Sequence, residues 1–384
     1  MELRLNDEQK MIAESAAQVL QERSSGERVR QVLEQGGLDR ALWQEACALG
    51  WTALAVPEQA GGMGLGLTEL VLLQEQLGWH LACIPFFDAV VAPAPLWRHL
   101  AQHGGASGLA AVERLALSGQ ICVLGMAVDG SLGAQAKLQR RTEGGWELDG
   151  IWPQVASAAH ADALLLPAQL PDGTYALVAL TVQASGLQLQ PQATVDGSRS
   201  SARIQAVQVA VSPDDVLLQG DALAQLWEPL RQHAAIGLAA EQVGAADRAL
   251  QLAVAYTCER QQFGKPVGSF QAVKHRAAQM LVQVELARSA VYEAAFLADA
   301  PDSAGDLLLP AAQARTQATQ AALFCTRECI QLHGGVGFTW EYDPHLYFRR
   351  AQAGSQRMGT VAEWLEQAAV RLLDQQHEAK EAVA

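Results

Sequence analysis

The residues able to do chemistry are few and widely spaced. Cys325 and Cys329 stand four apart on a predicted helix, a spacing that could seat a metal. The plainer reading is two small residues packed in that helix. The other cysteines, Cys47, Cys83, Cys122 and Cys258, are scattered without a CxxC pair, and a disulfide framework is not expected in so large a chain. No His-Glu or His-Cys cluster has metal spacing, so no metal site is expected. The segment Val56-Pro57-Glu58-Gln59-Ala60-Gly61-Gly62-Met63-Gly64 is glycine-rich, yet no strand-to-helix GxGxxG can be placed there. A nucleophile elbow of the GxSxG kind is also absent. Arg260 taken alone reads as a solvated arginine at a helix end.

The elements that must hold these residues fall into three textures. Residues 1–117 read as a helical domain. Asn6 can cap a helix with Asp7 and Glu8 in its first turn and Gln9 three residues on, as in a capping box. Further helices are predicted over Leu42–Leu49, stopped by Gly50, and over Glu69–Leu77, stopped by Gly78. Residues 118–218 carry short apolar runs with turn punctuation: Ile121–Leu124, Trp146–Gly150, Ala163–Leu166, Ala176–Leu180 and Ile204–Val211. That texture predicts antiparallel strands in a small barrel or sandwich. Residues 219–384 return to long alanine-rich helices, predicted over 222–261, 269–298, 306–332, 345–357 and 361–375. With short connections these pack as an antiparallel bundle. The fold class expected is therefore α+β, with a helical domain, a β domain and a bundle in that order.

Composition narrows the classes further. The chain has 384 residues, a formal net charge of −14 and 18% charged residues. A sequence pI near 5.1 argues against nucleic-acid binding, which needs clustered Lys and Arg. No apolar run reaches the roughly 18 residues of a membrane span. Met1-Glu-Leu-Arg-Leu-Asn has no basic region followed by an apolar stretch, so no secretory signal is expected and the compartment expected is the cytoplasm.

Two stretches in the last third carry a resemblance. One runs from Glu259-Arg260-Gln261-Gln262-Phe263-Gly264-Lys265-Pro266 to Phe270-Gln271-Ala272-Val273-Lys274-His275. The other is Gln331-Leu332-His333-Gly334-Gly335-Val336-Gly337-Phe338-Thr339-Trp340-Glu341. Both resemble signatures of the acyl-CoA dehydrogenase family. Leu49-Gly50-Trp51, Val56-Pro57-Glu58, Gly61-Gly62-Met63-Gly64 and Glu75-Gln76-Leu77-Gly78 resemble it as well, and the three-part layout agrees along the whole chain.

The resemblance implies an N-terminal helical domain, a middle β domain and a C-terminal four-helix bundle, in a tetrameric flavoenzyme holding FAD. A carboxylate base removes the proton α to the thioester of an acyl-CoA, and hydride passes from the β carbon to the flavin. An electron-transfer flavoprotein then reoxidises it. In the family one subunit's β domain holds the flavin ring, and the neighbour's bundle serves the pyrophosphate and adenosine end. Carried over, Arg260 would pair with pyrophosphate oxygens by charge-assisted bonds and Phe263 would pack on the adenine side. Gln271 would reach the cofactor from the start of its helix. Gln331, Gly334 and Gly335 would form the turn on which backbone approaches the pyrophosphate.

The flavin half of the pattern does not match. The T-E-P-x-x-G-S-D type segment corresponds to Met126-Ala127-Val128-Asp129-Gly130-Ser131-Leu132-Gly133, which lacks the Glu-Pro pair. The W-I-T type triplet falls on Gln154-Val155-Ala156. Trp152 lies two residues earlier, and strand alternation would put it on the same face as Gln154. The base is missing from both family positions, occupied here by Met358 and Ala234. Ala235 replaces an arginine that often serves the CoA. Glu241, seven residues past Ala234, lies roughly 10 Å further along a helix. Glu341 and Glu363 are the other acids near the signature. No catalytic residue is assigned to this chain.

This combination of kept and lost residues implies the non-catalytic chain of a heteromeric bacterial acyl-CoA dehydrogenase, of the kind used on steroid or other bulky lipid substrates, acting with a homologous catalytic subunit. Two alternatives stay open: a self-sufficient FAD-dependent dehydrogenase with a displaced base, and a flavin-free scaffold or regulatory subunit.

Overall fold

A computed structural model describes residues 4–133, 135–142, 144–300 and 306–381, with side chains to 374. Six helices come first: α1 (Asp7–Arg23), α2 (Gly26–Glu34), α3 (Arg40–Ala48), α4 (Leu67–Trp79), α5 (Ala94–His103) and α6 (Gly105–Ala116). The capping box at α1 forms as its spacing predicts. The Asn6 side chain accepts from the Gln9 backbone N–H at 2.8 Å, and the Gln9 side chain accepts from the Asn6 backbone N–H at 3.0 Å, satisfying donors that a helix start leaves orphaned.

Gly78 does not stop α4, which runs on to Trp79. Its glycine answers to packing instead. A Cβ there would lie 2.1 Å from the backbone oxygen of Glu241, so only a residue without a side chain lets the two backbones approach.

Eight strands follow: β1 (Cys122–Leu124), β2 (Gln135–Arg140), β3 (Trp146–Ala156), β4 (Ala163–Gln169), β5 (Tyr175–Thr181), β6 (Leu187–Pro191), β7 (Ser201–Val211) and β8 (Val216–Gln219). They form one sheet in the order β6-β7-β3-β2-β4-β5-β8, with β1 beside β4. Most pairs are antiparallel, but β1–β4 and β2–β4 are parallel, so the sheet is mixed. Strands β2 and β6 escape the apolar-run reading because they are polar and largely exposed; β6, for example, reads Leu-Gln-Leu-Gln-Pro. Buried Leu164, Leu165, Leu166, Leu177 and Val178 form the sheet's core.

The last region holds α7 (Asp221–Glu259), a hairpin of β9 (Gln261–Gln262) and β10 (Lys265–Pro266), α8 (Gln271–Asp299), α9 (Leu308–His333), α10 (Pro344–Gly354) and α11 (Val361–Glu381). Helix α9 is the hub, since α8, α10 and α11 all pack on it. Alanines make that closeness possible: Ala311, Ala314, Ala318, Ala321 and Ala322 are buried along it.

The chain packs as two compact units. One comprises residues 1–26, 71–81 and 235–384, and the other residues 27–70 and 82–234. Among the described residues no helix is long and apolar enough to cross a membrane.

Candidate functional site

The residues expected on the adenosine side all belong to the first unit. Arg260 immediately follows α7. The next residues turn back on themselves, with Gln262 paired to Lys265. This two-residue turn puts Phe263 at φ +54° and Gly264 at φ +77°. Positive φ at both centres is what a tight hairpin requires, and Asn or Gly usually supplies it. A phenylalanine there is strained by about 1–3 kcal/mol. Its ring is also 92% exposed, touching Phe270 edge-on at 6.3 Å. A strained backbone here displays an apolar ring to solvent, which gains nothing for the isolated fold.

Gln271 is the first residue of α8, exposed beside backbone N–H groups that the helix leaves unpaired. At the far end of α9, Gln331 is exposed and Gly334 adopts φ +63°, ψ −144°, a region essentially reserved for glycine. Gly335 has neither positive φ nor a crowded neighbour, and a Cβ added there would meet no atom within 4 Å. Nothing in the chain's own packing explains that glycine.

Two helix ends are brought together here by rings to which the sequence reading gives no role. Tyr256, in the last turn of α7, stacks on His333, the last residue of α9, at 4.3 Å and 19°. Tyr342 meets both rings edge-on at 6.1 Å.

The second unit holds the region expected near a flavin ring. Its loop is closed on itself. Ala127 N–H donates to the Ser131 carbonyl at 3.2 Å, Ser131 N–H donates to the Asp129 carboxylate at 2.9 Å, and the buried indole of Trp227 donates to the Gly130 carbonyl at 3.0 Å. Trp152 does not share a face with Gln154. Between Trp152 and Val155 the β3–β7 register slips, so Pro153 and Gln154 together oppose Arg203. This β-bulge breaks the alternation. Gln154 is exposed, whereas Trp152 is buried with its indole donating to the Pro167 carbonyl at 3.0 Å. Trp152 is therefore a core residue of the sheet.

The positions at which the resemblance would place a base or its neighbouring arginine hold buried, apolar side chains. Ala234 and Ala235 are fully buried, and Met358 is 3% exposed. Met358 sits at φ +59°, its carbonyl accepting from the Trp364 indole at 2.7 Å. The fully buried Arg315 holds the preceding residues, donating to the carbonyls of Gly354 at 2.7 Å and Arg357 at 2.6 Å and to the Gln242 amide oxygen at 2.5 Å. Burial, with the like charge of Arg357 nearby, pushes the Arg315 guanidinium down to about 9.

The acids nearby are otherwise engaged. Glu241 is buried, paired with Arg350 at 3.1 Å and accepting from the Gln74 amide at 2.6 Å. Glu363 caps α11: its carboxylate accepts from Thr360 N–H at 2.7 Å, while its own N–H donates to the Thr360 hydroxyl at 3.3 Å. Glu341 is exposed after the glycine turn. His233, beside Ala234, is no substitute, because burial and then the charge of Arg98 push its imidazole down to about 3. Cys325 and Cys329 are both buried, and burial raises each thiol. Among the described residues no three His, Cys, Asp or Glu side chains are grouped to hold a metal.

A helical first region, a mixed sheet and a bundle with a glycine turn after α9 define a recognisable class. The family model for the acyl-CoA dehydrogenase N-terminal domain matches residues 6–105, and that for the C-terminal domain matches residues 231–373. The chain belongs to the acyl-CoA dehydrogenase family. It is similar to the acyl-CoA dehydrogenase IpdE2 of Mycobacterium tuberculosis, at 31% identity over 369 residues, covering 94% of this chain and 95% of the relative. Among solved structures it is similar to a chain of the ChsE4-ChsE5 complex from Mycobacterium tuberculosis. There the identity is 25% and the TM-score 0.82, with 97% of this chain and 99% of that one covered. It is also similar to a chain of the Tcur3481-Tcur3483 steroid ACAD, at 27% identity and TM-score 0.81, covering 98% and 99%.

Proposed function

We propose that this chain is a subunit of a heteromeric acyl-CoA dehydrogenase, lending the adenosine-side half of an FAD site to a homologous catalytic chain and carrying no base of its own. The observation that carries this reading is the contrast between the two regions. Arg260, Phe263, Gln271, Gln331, Gly334 and Gly335 are exposed on one unit. Met358, Ala234 and Ala235 are buried where a base or CoA-binding arginine would stand.

The open face of Gly335 and the displayed ring of Phe263 fit a dinucleotide cofactor supplied from outside the chain. Arg260 would meet pyrophosphate oxygens with charge-assisted bonds. Phe263 would cover the adenine side, and the Gln271 and Gln331 amides would fix orientation. Bound FAD supplies the hydride acceptor for the β carbon of an acyl-CoA. The α proton falls to the catalytic chain, because this chain has alanine and methionine where a base would need to accept it. Similarity to chains of the ChsE4-ChsE5 complex and of a steroid ACAD supports a two-chain assembly and a bulky acyl-CoA substrate. An electron-transfer flavoprotein is the expected electron acceptor, and the cytoplasm the expected compartment.

The test is the flavin content of this chain purified alone and of the complex captured through a tag on it. The expected result is a colourless chain and a complex with one FAD per pair of unlike chains. In that complex Arg260→Ala should weaken flavin retention. One flavin per chain in the isolated protein, bleached by an acyl-CoA, would overturn the proposal and favour a self-sufficient enzyme.

A further inference from the structure

His333 is buried although Gln331 and Gly334 on either side of it are exposed. Its Nδ1 lies 2.7 Å from the Cys329 carbonyl. A carbonyl only accepts, so Nδ1 carries the hydrogen. That bond fixes the ring's plane, and the plane lies nearly parallel to Tyr256 on α7. Tyr342, nine residues beyond His333, closes the third side.

We propose that His333 is a positioning residue of the cofactor half-site, its ring tying the end of α9 to the end of α7 and so setting the spacing between Arg260 and the Gly334–Gly335 turn. This rests on the half-site reading above. Tyr256 stands four residues before Arg260, about one helical turn or roughly 6 Å along the axis. His333 is bonded directly to Gly334. The stack thus links the helix end that carries the arginine to the glycine backbone.

The spacing matters because charge-assisted contacts to one pyrophosphate are directional, and small displacements of either partner weaken them. An ordinary apolar residue could fill the same volume. It would lack the bond to Cys329 that holds the ring flat on Tyr256. Gly337 is part of the same joint, since a Cβ there would come within 3.1 Å of the His333 Cβ and 2.8 Å of the Ile330 carbonyl oxygen. Turn, histidine and tyrosine therefore move together.

The experiment measures the FAD dissociation constant of the tagged complex by flavin fluorescence, alongside its melting without FAD by circular dichroism. Wild type is compared with His333→Ala, His333→Phe, Tyr256→Leu and Arg260→Ala. His333→Ala should weaken FAD about tenfold, and His333→Phe, which keeps the stack but loses the bond, should recover part of it. Tyr256→Leu combined with His333→Ala should cost less than the two changes added separately, because both remove one stack. FAD affinity within about twofold of wild type in His333→Ala, with Arg260→Ala clearly weakened, overturns the positioning role and leaves the half-site standing. No effect from Arg260→Ala either would remove the half-site itself. Should His333→Ala fail to fold, unchanged affinity in both His333→Phe and Tyr256→Leu overturns the role equally.

Discussion

Glu241 stands seven residues beyond Ala234 on α7, and its substitution separates a structural carboxylate from a catalytic one. Its side chain and that of Arg350 are 4% and 5% exposed and lie 3.1 Å apart. Glu241→Gln removes the charge and leaves the Arg350 guanidinium facing a neutral amide in the core. Breaking a buried pair from one side costs about 3–5 kcal/mol. For a unit of this size each kcal/mol shifts the melting temperature by about 2–4 °C, so the expected drop is roughly 6–20 °C. The double change Glu241→Gln with Arg350→Met removes both charges and should recover much of the loss, because a neutral, well-packed pair needs no compensation. Circular dichroism melting reads the effect, with flavin reduction by an acyl-CoA measured on the complex below the melting range. A melting temperature within about 2 °C of wild type, together with lost flavin reduction, would refute the reasoning and make Glu241 the base.

Three further outcomes are expected. Arg315→Met removes the guanidinium donor from the Arg357 carbonyl and leaves the Gly354 carbonyl with the 3.3 Å bond from the Arg357 N–H, at about 1–3 kcal/mol in total, and hydrogen exchange should show faster opening over residues 354–358. Phe263→Gly should raise stability by up to about 1 kcal/mol by relieving the positive-φ strain yet lower flavin retention in the complex; denaturant midpoint and flavin content measure the two effects. The imidazole of His233 is held near 3 by burial and then by the charge of Arg98, below its unfolded value of about 6.5. The unfolded chain then binds the extra proton first, so this contribution is present above about pH 6.5 and is lost as pH falls toward 3, with a slope of up to about 1.4 kcal/mol per pH unit. His233→Gln should flatten that slope in denaturation curves recorded between pH 7 and pH 5.

Local chemistry was readable from the chain itself. The capping box at Asn6 and Gln9 involves neighbours three residues apart, and it forms. The long helices α7, α8 and α9 follow from alanine-rich runs, α7 continuing through Pro229. The signature around Arg260 and the glycine turn after His333 depends on residue order, as does the absence of a carboxylate at Met358 and Ala234. What needed the tertiary structure depends on residues far apart. Glu241 finds its partner 109 positions away in Arg350, and only that pairing turns a possible base into a buried ion pair. Gly78 looks like a helix stop until the Glu241 backbone is seen against it. Trp152 looks like a neighbour of Gln154 until the bulge at Pro153 and Gln154 turns them to opposite environments. Tyr256 and His333, 77 positions apart, become one stack only when the ends of α7 and α9 meet. Residue types and short spacings decide which groups can bind or react, because capping, turn and helix preferences act over a few residues. Whether a group is free to act is decided by what the fold packs against it, because burial, pairing and register are set by distant parts of the chain.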